Sequence, residues 1–160
     1  AYFEKYNNVW HHGDFAKITN KEGFIIFGRS DTTLNPGGVR LGTAEIYSVV
    51  EKFKEVQESL VIGQSWKNDI RIILFVVLNK DYKLTDKIKE EIKKSIKKNA
   101  SPRHVPSKII SIMDIPKTKN GKLVELAVKK TIEGDEVKNL ESIANPDSLK
   151  QFKNIKELNE

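Results

Sequence analysis

Residues 70–79 read IRIILFVVLN, a run that is almost continuously apolar and rich in β-branched side chains. A run of this length and composition is typical of a strand that is buried on both faces of a sheet. The shorter run SLVIG, residues 59–63, predicts a neighbouring strand. The polar residues between them, 64–69, predict a hairpin loop, so the two strands should lie side by side.

Helical patterns flank this strand pair on both sides. Thr43 is a candidate N-cap, and it precedes apolar residues at helical spacing: Ile46, Val49, Val50 and Phe53. Thr85 is a second candidate cap, before Ile88, Ile92 and Ile96. A third strand is predicted at residues 108–113 and a helix at 123–132. We therefore predict an α+β fold, a small three-stranded sheet with packed helices.

The two ends of the chain have their own patterns. FAKITNKEGFIIFG, residues 15–28, predicts a β-hairpin with its turn at 20–23. Near the other end, Asn145 and Pro146 occupy the cap and first position of a predicted last helix. Its apolar residues are Leu149, Phe152 and Ile155, and they should dock on the rest of the domain.

A polar ribbon, GRSDTTLNPGGVR at residues 28–40, separates the hairpin from the first helix. It carries Arg29, Asp31 and Arg40, and Pro36-Gly37-Gly38 should form a tight turn within it, because glycine tolerates positive φ. Its position between two structured units makes it a candidate hinge.

The composition limits the classes of function. The chain has 160 residues, no cysteine, and a formal net charge of +6. The charge favours anionic partners such as nucleic acid, acidic lipid or a phosphate-rich small molecule, although lysines that merely solvate helix faces would produce it as well. No apolar run approaches the ~20 residues of a membrane span. The chain begins at Ala1 like the middle of a sequence, so we expect a piece of a longer protein. The absence of cysteine favours a reducing compartment, and we expect a cytoplasmic location.

Four side chains could carry chemistry if they are more than surface groups. Asp14 could accept two hydrogen bonds from a diol, or simply form a turn. Arg29 and Arg40 could bind phosphate or carboxylate through their planar forks, or form surface ion pairs. Lys122 follows the turn dipeptide Asn120-Gly121 and could reach outward as a point charge on a phosphate, or stay solvated.

We predict no metal site. His11 and His12 are adjacent, so on a strand they would face opposite sides, and no third ligand stands at metal-binding spacing.

Taken together, three motifs resemble the C-terminal part of the adenylate-forming enzymes. These motifs, in order, are WHHGD at residues 10–14, GRSDTTLNPGGVRLGTAEIYSVV at 28–50 and IPKTKNGK at 115–122. Within that superfamily the ribbon is similar to the acetyl-CoA synthetase group. The segments SPRHVP and NGKLVELAVKK and the extra tail are similar to its acetoacetyl-CoA synthetase branch.

The resemblance implies a ligase that joins acetoacetate, or another short acid, to coenzyme A in two steps with ATP and Mg²⁺. It also implies a domain division. The hairpin, residues 1–30, would end a large N-terminal domain that this chain lacks, and 31–32 would be the hinge. Residues 33–132 would form a mobile C-terminal domain, and 133–160 a helical extension.

The resemblance further implies roles for single residues. Asp14 and Arg29 would contact the nucleotide near its ribose, and Asp31 would be the pivot. Gly38 would line the path of the pantetheine arm of CoA, and Arg40 would bind phosphate.

Two lysines complete the implied site. Lys122 would bridge the carboxylate and the α-phosphate during adenylation. Lys97 stands where some acyl-CoA synthetases carry an arginine for the 3′-phosphate of CoA.

Three alternatives remain open at this stage. A nucleic-acid-binding module would use the basic helix of residues 85–98 as its binding surface. A non-catalytic interaction domain could keep the fold. Within the enzyme class, the alternative is an acetyl- or propionyl-CoA synthetase.

Overall fold

A computed structural model of the chain describes residues 3, 6–30 and 32–159. The β-strands of the described residues are β1 Asp14–Ile18, β2 Phe24–Arg29, β3 Val56–Trp66, β4 Asp69–Leu78 and β5 Lys108–Ser111. The α-helices are α1 Ala44–Val50, α2 Asp86–Asn99 and α3 Glu125–Glu133. Short 3₁₀ turns follow α3 at Leu140–Ser142, Pro146–Phe152 and Lys156–Leu158.

The strands form two separate sheets. β1 and β2 pair antiparallel as the predicted hairpin. In the larger sheet the order is β3-β4-β5, with β4 antiparallel to β3 and parallel to β5. The prediction that the apolar run forms a buried strand is confirmed. β4 lies in the centre of the sheet, and its residues 71–76 are all buried. The α+β class is confirmed as well.

Alternating side chains of β4 divide the core into two layers. Leu74 and Val76 join α1 and α2 on one face of the sheet, with Ile46, Ile92 and Ile96 wholly buried there. Ile73 and Phe75 join α3 and the tail on the other face. We call these the α1/α2 face and the α3 face.

The tail docks on the α3 face through the apolar residues that the sequence singled out. Leu149 and Phe152 are buried, and the ring of Phe152 meets that of Phe75 edge-on with centroids 5.0 Å apart. The segment is not the predicted α-helix, however. It forms a 3₁₀ turn, and Asn145 does not cap it, because the Asn145 side chain binds residues 114–117 instead.

The predicted loop at residues 64–69 was also wrong. β3 continues to Trp66 and β4 begins at Asp69, so the connection is the two-residue turn Lys67-Asn68. Both turn residues have positive φ, 48° and 64°, which suits the twist of a tight β-hairpin. The end of β3 looks like a loop in the sequence because Gln64 and Ser65 are polar, although Gln64 is buried and accepts a hydrogen bond from Arg71 Nε of β4 at 2.9 Å.

Of the two threonines predicted as helix caps, one caps its helix. The Thr85 hydroxyl accepts a hydrogen bond from the Ile88 N–H at 3.3 Å, as predicted. Thr43 directly precedes α1, but its side chain makes no capping hydrogen bond there. Its backbone is already helical, which removes the extended conformation that a capping side chain needs.

Candidate functional site

The ribbon forms a loop that is closed at its base by a buried leucine pair. Leu34 and Leu41 exchange backbone hydrogen bonds in both directions, at 3.1 and 2.9 Å. Both side chains belong to the core on the α1/α2 face. Leu34 also packs over Gly63 of β3, where an added Cβ would lie 2.8 Å from Ile70 Cγ2 and 3.4 Å from Leu34 Cδ2. Residues 35–40 therefore project from a fixed base; we call them the ribbon loop.

The tip of the ribbon loop is the tight turn that the sequence predicted. Residues Pro36–Gly38 form one 3₁₀ turn, in which Gly37 and Gly38 have φ of 57° and 76°. The Gly37 N–H donates to both carboxylate oxygens of Asp69, at 2.9 and 3.2 Å. Asp69 was not identified from the sequence, because this contact joins residues 32 positions apart and no local sequence pattern predicts it.

Asp69 is well suited to hold this turn as an anion. Its carboxylate also accepts the N–H of Ile70 at 2.7 Å. The hydrogen bonds from Ile70 and Gly37 lower the pKa of Asp69 below its ordinary value, because both stabilise the charged form. Beyond this anchor, Gly38 and Arg40 are exposed on the loop.

Lys122 lies at the end of a second tight turn, which we call the lysine turn, residues 117–123. The Gly121 N–H donates to the Thr118 carbonyl at 2.8 Å, with Gly121 at φ 75°. The Thr118 N–H donates to the Lys122 carbonyl at 2.8 Å, and the Lys122 N–H donates to Thr118 Oγ1 at 3.1 Å. The backbone N–H and carbonyl of Lys122 are thus both hydrogen-bonded to Thr118, while the Lys122 side chain is exposed.

The two loops arise from opposite faces of the sheet. The base of the ribbon loop lies in the core of the α1/α2 face. The lysine turn is flanked by Ile115 and Val124, which pack on the α3 face. The two loops are therefore rooted in different layers of the core.

A hydrogen-bond relay at the outer edge of β3 connects the two faces. Tyr47 of α1 donates from its hydroxyl to a carboxylate oxygen of Glu125, the first residue of α3. The same hydroxyl accepts the Val61 N–H of β3 at 3.0 Å. Burial, reinforced by Glu125, raises the pKa of Tyr47 well above its ordinary value, so the hydroxyl stays a donor.

Asp14 and Arg29 lie opposite each other across the β1–β2 hairpin as register partners. The Asp14 carboxylate is hydrogen-bonded by His12 Nδ1 at 2.5 Å. The side chain of Arg29 lies outside the described part of the structure, and so does the whole of Asp31. The structure therefore brings the backbones of Asp14 and Arg29 together, and it leaves the expected pivot undescribed.

Lys97 is exposed in the last turn of α2. The segment after this helix is a 3₁₀ turn in which Ser101 Oγ accepts the Arg103 N–H at 3.2 Å and bonds His104 Nδ1 at 2.8 Å. This turn places Arg103, also exposed, near the end of the helix that carries Lys97.

Within the described residues, no group of three or more His, Asp or Glu side chains could hold a metal ion. No helix in that same part of the chain is long and apolar enough to cross a bilayer.

Comparison with protein families decides the identity of the domain. Residues 45–122 match the family model of the AMP-binding enzyme C-terminal domain. This chain carries an AMP-binding enzyme C-terminal domain. The match begins in α1 and ends at Lys122, so the lysine turn closes the domain as the family defines it.

Known relatives cover more of the chain than the family model does. Acetoacetyl-coenzyme A synthetase of Rhizobium meliloti (strain 1021) is 56% identical over 158 residues, which is 99% of this chain and 24% of that protein. Acetoacetyl-CoA synthetase of Gallus gallus is 46% identical over 160 residues, again 24% of its length. This chain thus spans about a quarter of the relatives it matches.

A solved structure agrees with these relatives. Acetoacetyl-CoA synthetase from Streptomyces lividans superimposes with a TM-score of 0.87 at 39% identity, covering 99% of this chain and 24% of that one. The superposition includes the tail beyond the AMP-binding C-terminal domain. The resemblance to adenylate-forming enzymes, and within them to acetoacetyl-CoA synthetases, is confirmed.

Proposed function

We propose that this chain is the C-terminal part of an ATP-dependent, AMP-forming acetoacetate–CoA ligase. In the first step a carboxylate oxygen of acetoacetate attacks the α-phosphorus of ATP, and pyrophosphate leaves. In the second step the CoA thiol attacks the acyl carbonyl of the adenylate, loses its proton, and displaces AMP. The identities of 56% and 46% to acetoacetyl-CoA synthetases support the choice of this reaction.

The observation that carries the proposal is the rooting of two exposed loops in opposite faces of one small sheet. A two-step enzyme needs different groups at one centre at different times. Lys122 would face the centre during adenylation, where its ammonium stabilises the negative charge that develops around the α-phosphate. After rotation, the ribbon loop would face it instead, with Gly38 beside the pantetheine arm and Arg40 on a phosphate.

The nucleotide and CoA contacts complete the assignment. Asp14, paired in register with Arg29, would hold the ribose hydroxyls of the adenylate, and Arg29 would lie beside it. Lys97, exposed at the end of α2, would bind the 3′-phosphate of CoA. Mg²⁺ would accompany ATP, and we assign it no ligand in this chain.

The domain division is part of the same proposal. The β1–β2 hairpin exposes Ile18, Phe24, Ile25 and Ile26, each with between 46% and 71% of its surface accessible. Such an apolar surface suits a segment that ends a larger N-terminal domain and packs against it. Asp31 would then be the pivot, since it directly follows the hairpin. A cytoplasmic location also belongs to this proposal.

The catalytic groups of this chain are incomplete by themselves. The ATP triphosphate and the acyl group would be bound by the N-terminal domain, so the isolated chain should release no pyrophosphate from ATP and acetoacetate. The nucleic-acid alternative is not proposed, because the relatives that match 99% of this chain are acetoacetyl-CoA synthetases.

A substrate panel on the full-length enzyme tests the proposal. Pyrophosphate release should be fastest with acetoacetate, compared with acetate and propionate at equal concentrations. Fastest release with acetate or propionate would instead assign the chain to an acetyl- or propionyl-CoA synthetase. Absence of turnover with every acid would overturn the ligase assignment.

A further inference from the structure

The tail beyond α3 supplies a third strand to the lysine turn. The Lys119 N–H donates to the Ser142 carbonyl at 3.1 Å, and the Ala144 N–H donates to the Lys117 carbonyl at 2.8 Å. Between these two bonds, Ile143 lies opposite Thr118 as an antiparallel pair. The arm of the turn that leads to Lys122 is therefore bonded on one side within the turn and on the other side to the tail.

Asn145 strengthens this pairing with three side-chain hydrogen bonds. Its Oδ1 accepts the Lys117 N–H at 2.9 Å. Its Nδ2 donates to Asp114 Oδ2 at 2.6 Å and to the Ile115 carbonyl at 2.9 Å. One side chain of the tail thus fixes the backbone over the residues that enter the lysine turn.

The tail is itself held to the sheet away from the turn. Ile143 and Leu149 are buried in the core of the α3 face, and Phe152 packs on Phe75 of the central strand. At the far end, Arg71 Nη2 donates to the Leu158 carbonyl at 2.5 Å. These anchors make the tail a fixed support, whereas an isolated two-stranded turn is only marginally stable in water.

We propose that the tail, through residues 142–145, positions Lys122 for adenylation, with Asn145 as the principal positioning residue. This inference rests on the proposed function of Lys122. A group that stabilises a transition state must be placed in advance, because a misplacement of about 1 Å can cost on the order of 10²-fold in rate. The backbone and Asn145 hydrogen bonds described above run from the tail to the lysine turn, so we expect its contribution to be confined to the first half-reaction.

The two half-reactions of the full-length enzyme test this directly. In the Asn145→Ala variant, adenylation of acetoacetate should slow by about 10-fold or more, since the support of the turn is lost. Transfer of the acyl group from preformed acetoacetyl-adenylate to CoA should keep its normal rate. Equal loss in both half-reactions, or loss in neither, would overturn the proposal.

Matched variants separate positioning from general destabilisation. Lys150→Ala is the control on the same tail, because Lys150 is exposed and is paired with Asp147 at the surface. It should leave both half-reactions unchanged. In the exchange variant Asp114→Asn with Asn145→Asp, one carboxylate and one amide still face each other and the new carboxylate can accept the Lys117 N–H, but the bond to the Ile115 carbonyl is lost because a carboxylate cannot donate. Adenylation should therefore be faster than in the single variant Asn145→Asp, in which two carboxylates face each other; equal rates in these two variants would count against the proposal.

Two further measurements test the role of the tail even if the Asn145→Ala variant does not fold. Asp114→Ala removes a single bond at an exposed position, so it should slow adenylation selectively and to a smaller extent even if Asn145→Ala does not fold. Hydrogen exchange of a peptide spanning residues 117–123 should accelerate in the same variants, and unchanged exchange would overturn the mechanism. If adenylation keeps its normal rate in Lys122→Ala, the proposed function is wrong. If adenylation is slowed in Lys122→Ala but keeps its normal rate in the Asn145 and Asp114 variants, only the inference about the tail is wrong.

Discussion

The backbone N–H of Gly37 is held by the side chain of Asp69, whose two carboxylate oxygens lie 2.9 and 3.2 Å away. Asp69 is the first residue of the central strand β4. The tip of the ribbon loop is therefore tied directly to the strand around which the whole domain packs. Under the proposed function, in which the domain rotates between the two steps, this contact should make the loop move with the domain as one body.

Asp69→Ala should slow acyl transfer to CoA by several-fold and leave adenylation near its normal rate. The reason is that the loop keeps its Leu34–Leu41 base but loses the anchor at its tip. Asp69→Asn keeps one acceptor oxygen for the Gly37 N–H and should fall between the wild type and Asp69→Ala. Single-turnover assays of both half-reactions check this series. A slower adenylation step in Asp69→Ala would contradict the assignment of the loop.

Gly38→Leu should block acyl transfer to CoA while acetoacetyl-adenylate still forms and accumulates. Gly38 has φ of 76° and open space where a Cβ would lie, so the domain itself has room for a leucine side chain. Any L-residue is strained at this φ, and Gly38→Ala carries that same strain without the bulk. The difference between the two variants isolates obstruction of the pantetheine path. Equal rates in both would show that Gly38 serves only the turn.

His104 should make the stability of the domain depend on pH. Its side chain is buried, and burial lowers its pKa below the ordinary value, with Glu45 opposing the shift. Below a pH of about 6.5 the unfolded chain takes up a proton that the folded chain resists. The free energy of unfolding should therefore decrease as the pH falls from about 7 towards 5.

Urea unfolding of the chain at a series of pH values measures this slope. His104→Gln keeps a polar side chain beside Ser101 but cannot titrate, so its unfolding midpoint should vary less over the same range. Parallel slopes for the wild type and the variant would assign the pH dependence to other groups.

The sequence predicted the regular parts of this fold well, for physical reasons. The apolar run of β4 and the spacing of Ile92 and Ile96 in α2 are strong local signals of burial, and both residues of α2 are wholly buried. The end of β3 and the tail were predicted wrongly, because the polar residues at the end of β3 and the 3₁₀ turns of the tail lack such a period. Asparagine is a common N-cap residue. The Asn145 side chain instead forms hydrogen bonds with partners about 30 residues earlier in the chain.

The candidate site was likewise predicted only in part. The exposed position of Lys122 after a glycine turn follows from NGK alone, as does the tight turn at Pro36–Gly38. The groups that hold these loops in place could not be predicted, because Asp69 and the tail reach them from 32 and about 25 residues away. Such contacts exist only once the sheet has brought the segments together.

Lys122→Ala in the full-length enzyme tests the central claim, that each loop of this domain serves one half-reaction. Adenylation should fall by ~10²–10³-fold, because the ammonium stabilises charge that develops only in the first transition state. Transfer from preformed acetoacetyl-adenylate to CoA should proceed at the normal rate. Both rates are measured by single-turnover assays on the same preparation. Equal loss of adenylation and acyl transfer would contradict the account.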